Sequence, residues 1–273
     1  MKSEIQKTFQ VAVTLCLVCS VTVSTLAVVL KDRQDRAKEE FRQQSILAAA
    51  GLWEEGENPG ELFNDSITPI GIDLEDFKPE DGDLTAAKFD LGKSMRDPEL
   101  HRVVPQQDDV AGLKKMERYS IVYRVPRSGP LEKIVIPIRG RGLWSTLYGF
   151  IALDVKDISN GPQSIKVAGL TYYKHGETPG LGGEVENELW RAKWPGKLVF
   201  DEQWGVKAEV SKSASTEYQV DALSGATLTS NGVTNMLKFW LGKKGFGPYL
   251  KTLASAAAPE EPNTAMLDAT NAH

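Results

Sequence analysis

The chain has little sulfur or imidazole with which to do chemistry. Its 273 residues include two cysteines, Cys16 and Cys19, and three histidines, His101, His175 and His273. Both cysteines lie in one apolar run, so the rest of the chain has no disulfide and no cysteine-based metal centre. No motif ties a histidine to a serine, which leaves nucleophilic hydrolysis without support. Carboxylates are plentiful but unplaced, so hydrolase chemistry has no specific support, and metal-ligand spacing is absent. A basic excess is also missing: the formal net charge is −5, which argues against nucleic acid as a partner. The apolar content of 41% is ordinary for a packed core, so a globular domain is expected.

What is present begins with VAVTLCLVCSVTVSTLAVVL, Val11 to Leu30, a run without charge or proline. At ~1.5 Å per helical residue it covers roughly 30 Å, the thickness of a bilayer's hydrocarbon core. It predicts one transmembrane helix after a short flank, residues 1–10. A cleaved signal peptide is the rival, but the run exceeds a usual signal core and leads into KDRQDRAKEEFRQQ without a small-residue cleavage site. Cys16 and Cys19 sit one turn apart and read as small apolar residues in lipid. Lys2 and Lys7 precede the run, while Lys31, Arg33, Arg36, Lys38 and Arg42 follow it. Positive charge alone would therefore keep the large domain in the cytoplasm.

Beyond the run, Lys31 to Ala50 is rich in helix formers and continues the helix. Glu54 to Pro79 is acidic and dotted with Gly and Pro, which predicts surface loops. From Arg118 the pattern turns to short β-type runs, YSIVYRV, KIVIPIR, GFIALDV and SIKVAGLTYY, the first two joined by Pro126-Arg-Ser-Gly-Pro130 as a hairpin. This spacing predicts an α+β fold, an antiparallel sheet with packed helices. Val233, Met236, Leu237, Trp240 and Leu241 form the stripe of an amphipathic helix that Gly242 and Gly245 can end. A further helical run is expected over Glu184 to Trp190. The divisions expected are 31–115 for a membrane-proximal helix and acidic region, 116–253 for the main domain, and 254–273 for an aperiodic, disordered tail.

Three stretches could carry chemistry. Lys174-His-Gly-Glu-Thr-Pro-Gly-Leu-Gly-Gly183 is a glycine-rich link between strand and helix, but it matches neither the dinucleotide fingerprint nor a Walker loop, and a tight turn explains it as well. Arg139-Gly-Arg-Gly-Leu-Trp144 offers a flat indole beside bends that allow close approach, or simply a core Trp. The third, Asp221-Ala-Leu-Ser-Gly-Ala-Thr-Leu-Thr-Ser-Asn-Gly-Val233, heads the amphipathic helix. One hydroxyl suffices for a cap, whereas this stretch supplies Ser224, Thr227, Thr229 and Ser230. A glycine followed by free N–H groups at a helix start also suits a phosphate.

Asp221-Ala-Leu-Ser-Gly-Ala-Thr227 resembles the D-x-x-[S/T]-G-A-T flavinylation motif of the covalent FMN-binding domain family, and Glu177-Thr-Pro-Gly-Leu-Gly182 resembles that family's second signature. With one N-terminal transmembrane helix, the arrangement up to about Lys251 is similar to the C subunits of Na+-translocating NADH:quinone reductases. The resemblance implies FMN held by a phosphoester to Thr227, made by a flavin transferase that uses FAD and a divalent metal and reads Asp221. It implies that Ser224 and Thr229 are phosphate partners or caps, with Gly225 and Ala226 leaving room. Trp144, Glu177, Thr178, Gly180 and Leu181 would wall the flavin. It further implies an electron relay among flavin and iron–sulfur subunits in the bacterial inner membrane, with the large domain periplasmic, against the charge count. The alternatives are the FMN subunit of a related ferredoxin:NAD+ complex and a cofactor-free tethered interaction module. The acidic stretch from Glu54 to Gln107 favours the sodium pump.

Overall fold

A computed structural model describes residues 2–258. The chain divides into two units, Met1–Gln43 and Gln44–His273. In chain order the elements are α1 Lys2–Ala50, α2 Pro59–Ser66, β1 Thr68–Asp73, β2 Lys78–Glu80, α3 Leu91–Ser94, β3 His101–Val103, β4 Lys115–Glu117, β5 Tyr119–Val125, β6 Lys133–Arg141, β7 Thr146–Asp154, β8 Lys166–Lys174, α4 Glu188–Arg191, β9 Glu209–Ser211, β10 Gln219–Asp221, α5 Thr227–Trp240 and α6 Gly247–Ala257. The first unit is the helical stretch of α1 that holds the apolar run, with Val11, Leu15, Val21 and Val28 all exposed. Apolar side chains exposed over a full span are what a lipid environment accommodates.

The second unit is built on a six-stranded antiparallel sheet, ordered β2-β1-β5-β6-β7-β8. Alternation along the strands serves two cores. Ile134, Ile136, Ile138, Leu147, Ile151 and Leu153 face a core shared with α5, where Val233, Met236, Leu237 and Trp240 are buried. On the other side Val135, Phe150, Ala152 and Tyr123 meet Ile46, Leu47, Ala49 and Ala50 at the end of α1. Polar bonds fix that helix end to the sheet: Thr171 Oγ1 donates to the Ser45 carbonyl at 2.9 Å, and Lys133 Nζ to the Ala50 carbonyl at 2.7 Å.

Three sequence expectations are corrected. Within Glu54 to Pro79, read as surface loops, Pro59–Ser66 is the helix α2, and Thr68–Asp73 is a strand paired with β5 along its whole length. Pro69 is tolerated because β2 pairs only with Gly71 to Asp73, so no second neighbour asks for the missing N–H. The run from Glu184 to Trp190 is not one helix but a 3-10 turn, Gly182–Glu186, followed by α4. Asn187 separates them with an extended backbone and a side chain that caps the Leu189 N–H. Of the expected tail, residues 254–257 are the last turn of α6, and 259–273 lie outside the described residues.

Candidate functional site

The opening of α5 is a helix start without a cap. Leu223 and Ala226 close a β-turn, Ala226 N donating to the Leu223 carbonyl at 3.1 Å, and Gly225 takes φ +69° at its third position. Positive φ at that position alone is the mark of a type II turn and the reason for glycine there. The residue before the helix, Ala226, offers no side-chain acceptor, and the first intrahelical bond is Ser230 N to the Ala226 carbonyl. The N–H groups of Thr227, Leu228 and Thr229 therefore point from the positive end of a 14-residue helix without protein acceptors among the described residues.

The surplus hydroxyls now divide. Thr229 is buried and donates through Oγ1 to Glu177 Oε2 at 2.7 Å, so it is neither a cap nor free for a phosphate. Ser230, also buried, accepts the Leu223 N–H at 3.1 Å and fastens the turn to the helix. Ser224 and Thr227 are exposed and make no hydrogen bond among the described residues. Thr227 is the first residue of α5, so it stands at the helix end that carries the unsatisfied N–H groups.

The three stretches converge on Glu177. Its buried carboxylate accepts the N–H groups of Leu143 (3.1 Å), Trp144 (3.0 Å) and Ser145 (3.0 Å) as well as the Thr229 hydroxyl. Burial, the largest single influence, pushes its pKa up, but the donors from Thr229, Ser145, Trp144 and Leu143 together hold it below the ordinary carboxylate value. Two glycines make the close approach possible. A Cβ on Gly142 would stand 2.6 Å from Glu177 Oε1, and one on Gly182 would stand 2.7 Å from Thr229 Oγ1. His175 Nδ1 accepts the Glu177 N–H at 3.1 Å, which places the ring proton on Nε2, 3.0 Å from Glu186. Sequence reading named Glu177 as a flavin wall; its part in tying the β6–β7 turn, the glycine-rich loop and α5 together was missed, because its partners lie 32 to 52 residues away.

The remaining residues fall around this knot. Leu181 packs over the turn, where a Cβ on Gly225 would come within 2.9 Å of its Cδ2, and it stays 44% exposed. Trp144 has its N–H on Glu177 and its indole 69% exposed, so it is not a core Trp. Thr178 and Gly180 line the exposed loop between them, Leu181 N and Gly183 N both donating to the Thr178 carbonyl. Asp221 stands apart on the surface, its carboxylate accepting from Lys193 Nζ at 3.1 Å and Ala214 N at 3.2 Å; the Lys193 bond holds its pKa below the usual range. Among the described residues no group of three His, Cys, Asp or Glu could hold a metal ion.

This arrangement fits a phosphorylated flavin: an exposed hydroxyl, three N–H donors at a positive helix end, and an open surface beside a glycine turn. Residues 142–242 match the model of the FMN-binding domain. Among curated proteins the chain is 44% identical to the C subunit of the Na(+)-translocating NADH-quinone reductase of Pseudomonas aeruginosa, over 92% of this chain and 97% of that one. It is 43% identical to the same subunit of Vibrio campbellii, over 90% and 94%. Among solved structures, Shewanella oneidensis NqrC superposes with a TM-score of 0.70 at 31% identity, over 80% of this chain and 99% of that one.

Proposed function

Because the chain belongs to the family of Na+-translocating NADH-quinone reductase C subunits, and is thus an FMN-binding subunit of that oxidoreductase complex, we propose that it carries its FMN covalently on Thr227 and relays electrons between other carriers of the complex. The single observation that carries this reading is the division of hydroxyls at α5. Thr229 and Ser230 are spent inside the protein, whereas Thr227, at the helix end with three unsatisfied N–H groups, has no hydrogen-bond partner among the described residues.

Among the described residues no base hydrogen-bonds the Thr227 hydroxyl, so attachment needs a separate enzyme. Transfer from FAD would join the Thr227 Oγ to the flavin-side phosphorus, with release of AMP and loss of the hydroxyl proton. The helix end favours the remaining phosphodiester charge, and Gly225 leaves the approach open. Bound FMN supplies reversible one- and two-electron carriage. Trp144 and Leu181, both held at the knot around Glu177, offer flat and apolar surface to the ring, and Thr178 and Gly180 border it. Asp221 belongs to the surface read by the transferase. The large domain lies on the periplasmic side of the inner membrane, and α1 anchors it.

The test is flavin fluorescence of the purified chain after denaturation. Wild type and Thr229→Val should remain fluorescent, and Thr227→Ala should be folded and colourless, with peptide mass mapping placing FMN less one water on Thr227. Flavin that survives denaturation in Thr227→Ala would overturn the assignment.

A further inference from the structure

The cleft beside α5 has no part in holding the flavin as assigned above. It is about 470 Å³ in volume and lies between residues 109–112, the 141–143 turn and the outer face of α5. On that face Leu228, Asn231 and Asn235 stand above one another at i, i+3 and i+7. Its walls are rigid, because Gly232 packs directly on the Arg141 carbonyl and Gly112, at φ +67°, sets its α-carbon against the Arg141 stem.

Three properties of this cleft point to a protein partner. Seven large apolar side chains of the second unit are exposed among the described residues; Trp144 and Leu181 are those assigned to the flavin ring, and of the remaining five, three, Val110, Leu143 and Leu228, line the cleft. Apolar surface gathered at one place on an otherwise polar domain marks an interaction site. Charge is equally uneven. Asp109 is the acidic residue of the lining, and its two oxygens are taken by the N–H groups of Leu113 and Lys114, both at 2.7 Å. Arg141 is exposed and has no carboxylate within ion-pair distance among the described residues. The Asn231 and Asn235 amides also lack partners there, which leaves donors and acceptors for a backbone.

We infer that this cleft docks another subunit of the same complex, which sets an apolar side chain between Leu228, Leu143 and Val110 and a carboxylate against Arg141. The inference rests on the chain's reading as an electron relay, since docking there brings the partner within one helical turn of Thr227 and so beside the cofactor. A carboxylate is the complement of the one uncommitted charge in the cleft, and side-chain amides suit the main chain of the segment that delivers it.

The experiment uses the whole complex with full-length Leu228→Ser or Arg141→Ala, and with Leu189→Ser as a control for an exposed leucine outside the cleft. The amount of this subunit retained is measured by immunoblot during a salt and detergent wash, and flavin is scored separately after denaturation. Both cleft variants should keep their flavin and leave the complex about tenfold more readily than wild type, whereas Leu189→Ser should not. The salt sensitivity of retention should fall in Arg141→Ala. Wild-type retention in both cleft variants would overturn the docking site. So would an altered flavin absorption spectrum in Leu228→Ser with assembly intact, which would make the cleft the seat of the ring. If wild type itself lost its flavin on denaturation, the Thr227 reading would fall while the immunoblot still judged the docking site.

Discussion

At the scale of single residues, Glu177 is the side chain on which the site depends. It ties together elements otherwise joined only through their own strands and turns, and it does so as an anion surrounded by N–H and O–H donors. Glutamine would keep the shape but present an NH2 group to those donors, so Glu177→Gln should destabilise the domain by about 2–4 kcal/mol at neutral pH. The sign of the pH dependence follows from the lowered pKa. A carboxyl held below its unfolded value of about 4.3 contributes fully above that value, and the contribution is lost as pH falls through the lower folded value. The stability gap between wild type and Glu177→Gln should accordingly narrow on acidification below about pH 4.5, measured by urea unfolding. A gap that stays constant into strong acid would show that ionisation of Glu177 does not contribute.

At the scale of elements, the turn before α5 leads into Thr227 and lies under Leu181. Gly225 takes a left-handed backbone, and a Cβ there would stand 2.9 Å from Leu181 Cδ2. Gly225→Ala should thus cost about 1–2 kcal/mol from the backbone, with the urea midpoint falling and the m-value unchanged. Leu181 would also be displaced, so with FMN attached to Thr227 as proposed above the flavin absorption spectrum should shift while fluorescence after denaturation is retained. An unchanged spectrum would mean that Leu181 lies away from the ring. Elements built on local sequence pattern were legible beforehand: β5 to β8 from their short β-type runs, and α5 from the stripe ending at Leu241. β1 was hidden because Pro69 and Gly71 carry loop chemistry, and their fitness for a strand depends on neighbours distant in sequence. Pro69 has no ladder partner on its free side, and Gly71 takes the ring of Phe89, which would lie 2.6 Å from a Cβ. The role of Thr229 was hidden for the same reason. Its position suggests a cap, and only the fold brings Glu177 to it.

At the scale of the whole molecule, the division after Gln43 does not coincide with the end of the apolar run at Leu30, and the difference has consequences for handling the domain. Ile46, Leu47, Ala49 and Ala50 are fully buried against the sheet face that carries Tyr123, Val135 and Phe150. A chain beginning at residue 44 should therefore fold and remain in solution, while one beginning at residue 52 should expose that face and aggregate, since each lost large side chain removes about 1.5–3 kcal/mol. Equal solubility and equal thermal midpoints would contradict the second core. The remaining question is the side of the membrane on which this domain stands. Basic residues flanking the apolar run favour the cytoplasm, with five after it against two before it. The acidic Asp32, Asp35, Glu39 and Glu40 interleave with the five, and Lys38 and Arg42 pair with Asp35 and Glu39 at 3.2 and 3.8 Å. Acidic neighbours count for little in insertion, so the bias is only reduced, and a periplasmic domain would need assembly with the other subunits to supply the rest. A periplasmic domain predicts that alkaline phosphatase fused after Lys251, which needs export to fold, is active, while a cytoplasm-dependent fluorescent reporter at the same place is dark. The reverse pattern would place Thr227 in the cytoplasm and require its flavin to be attached there.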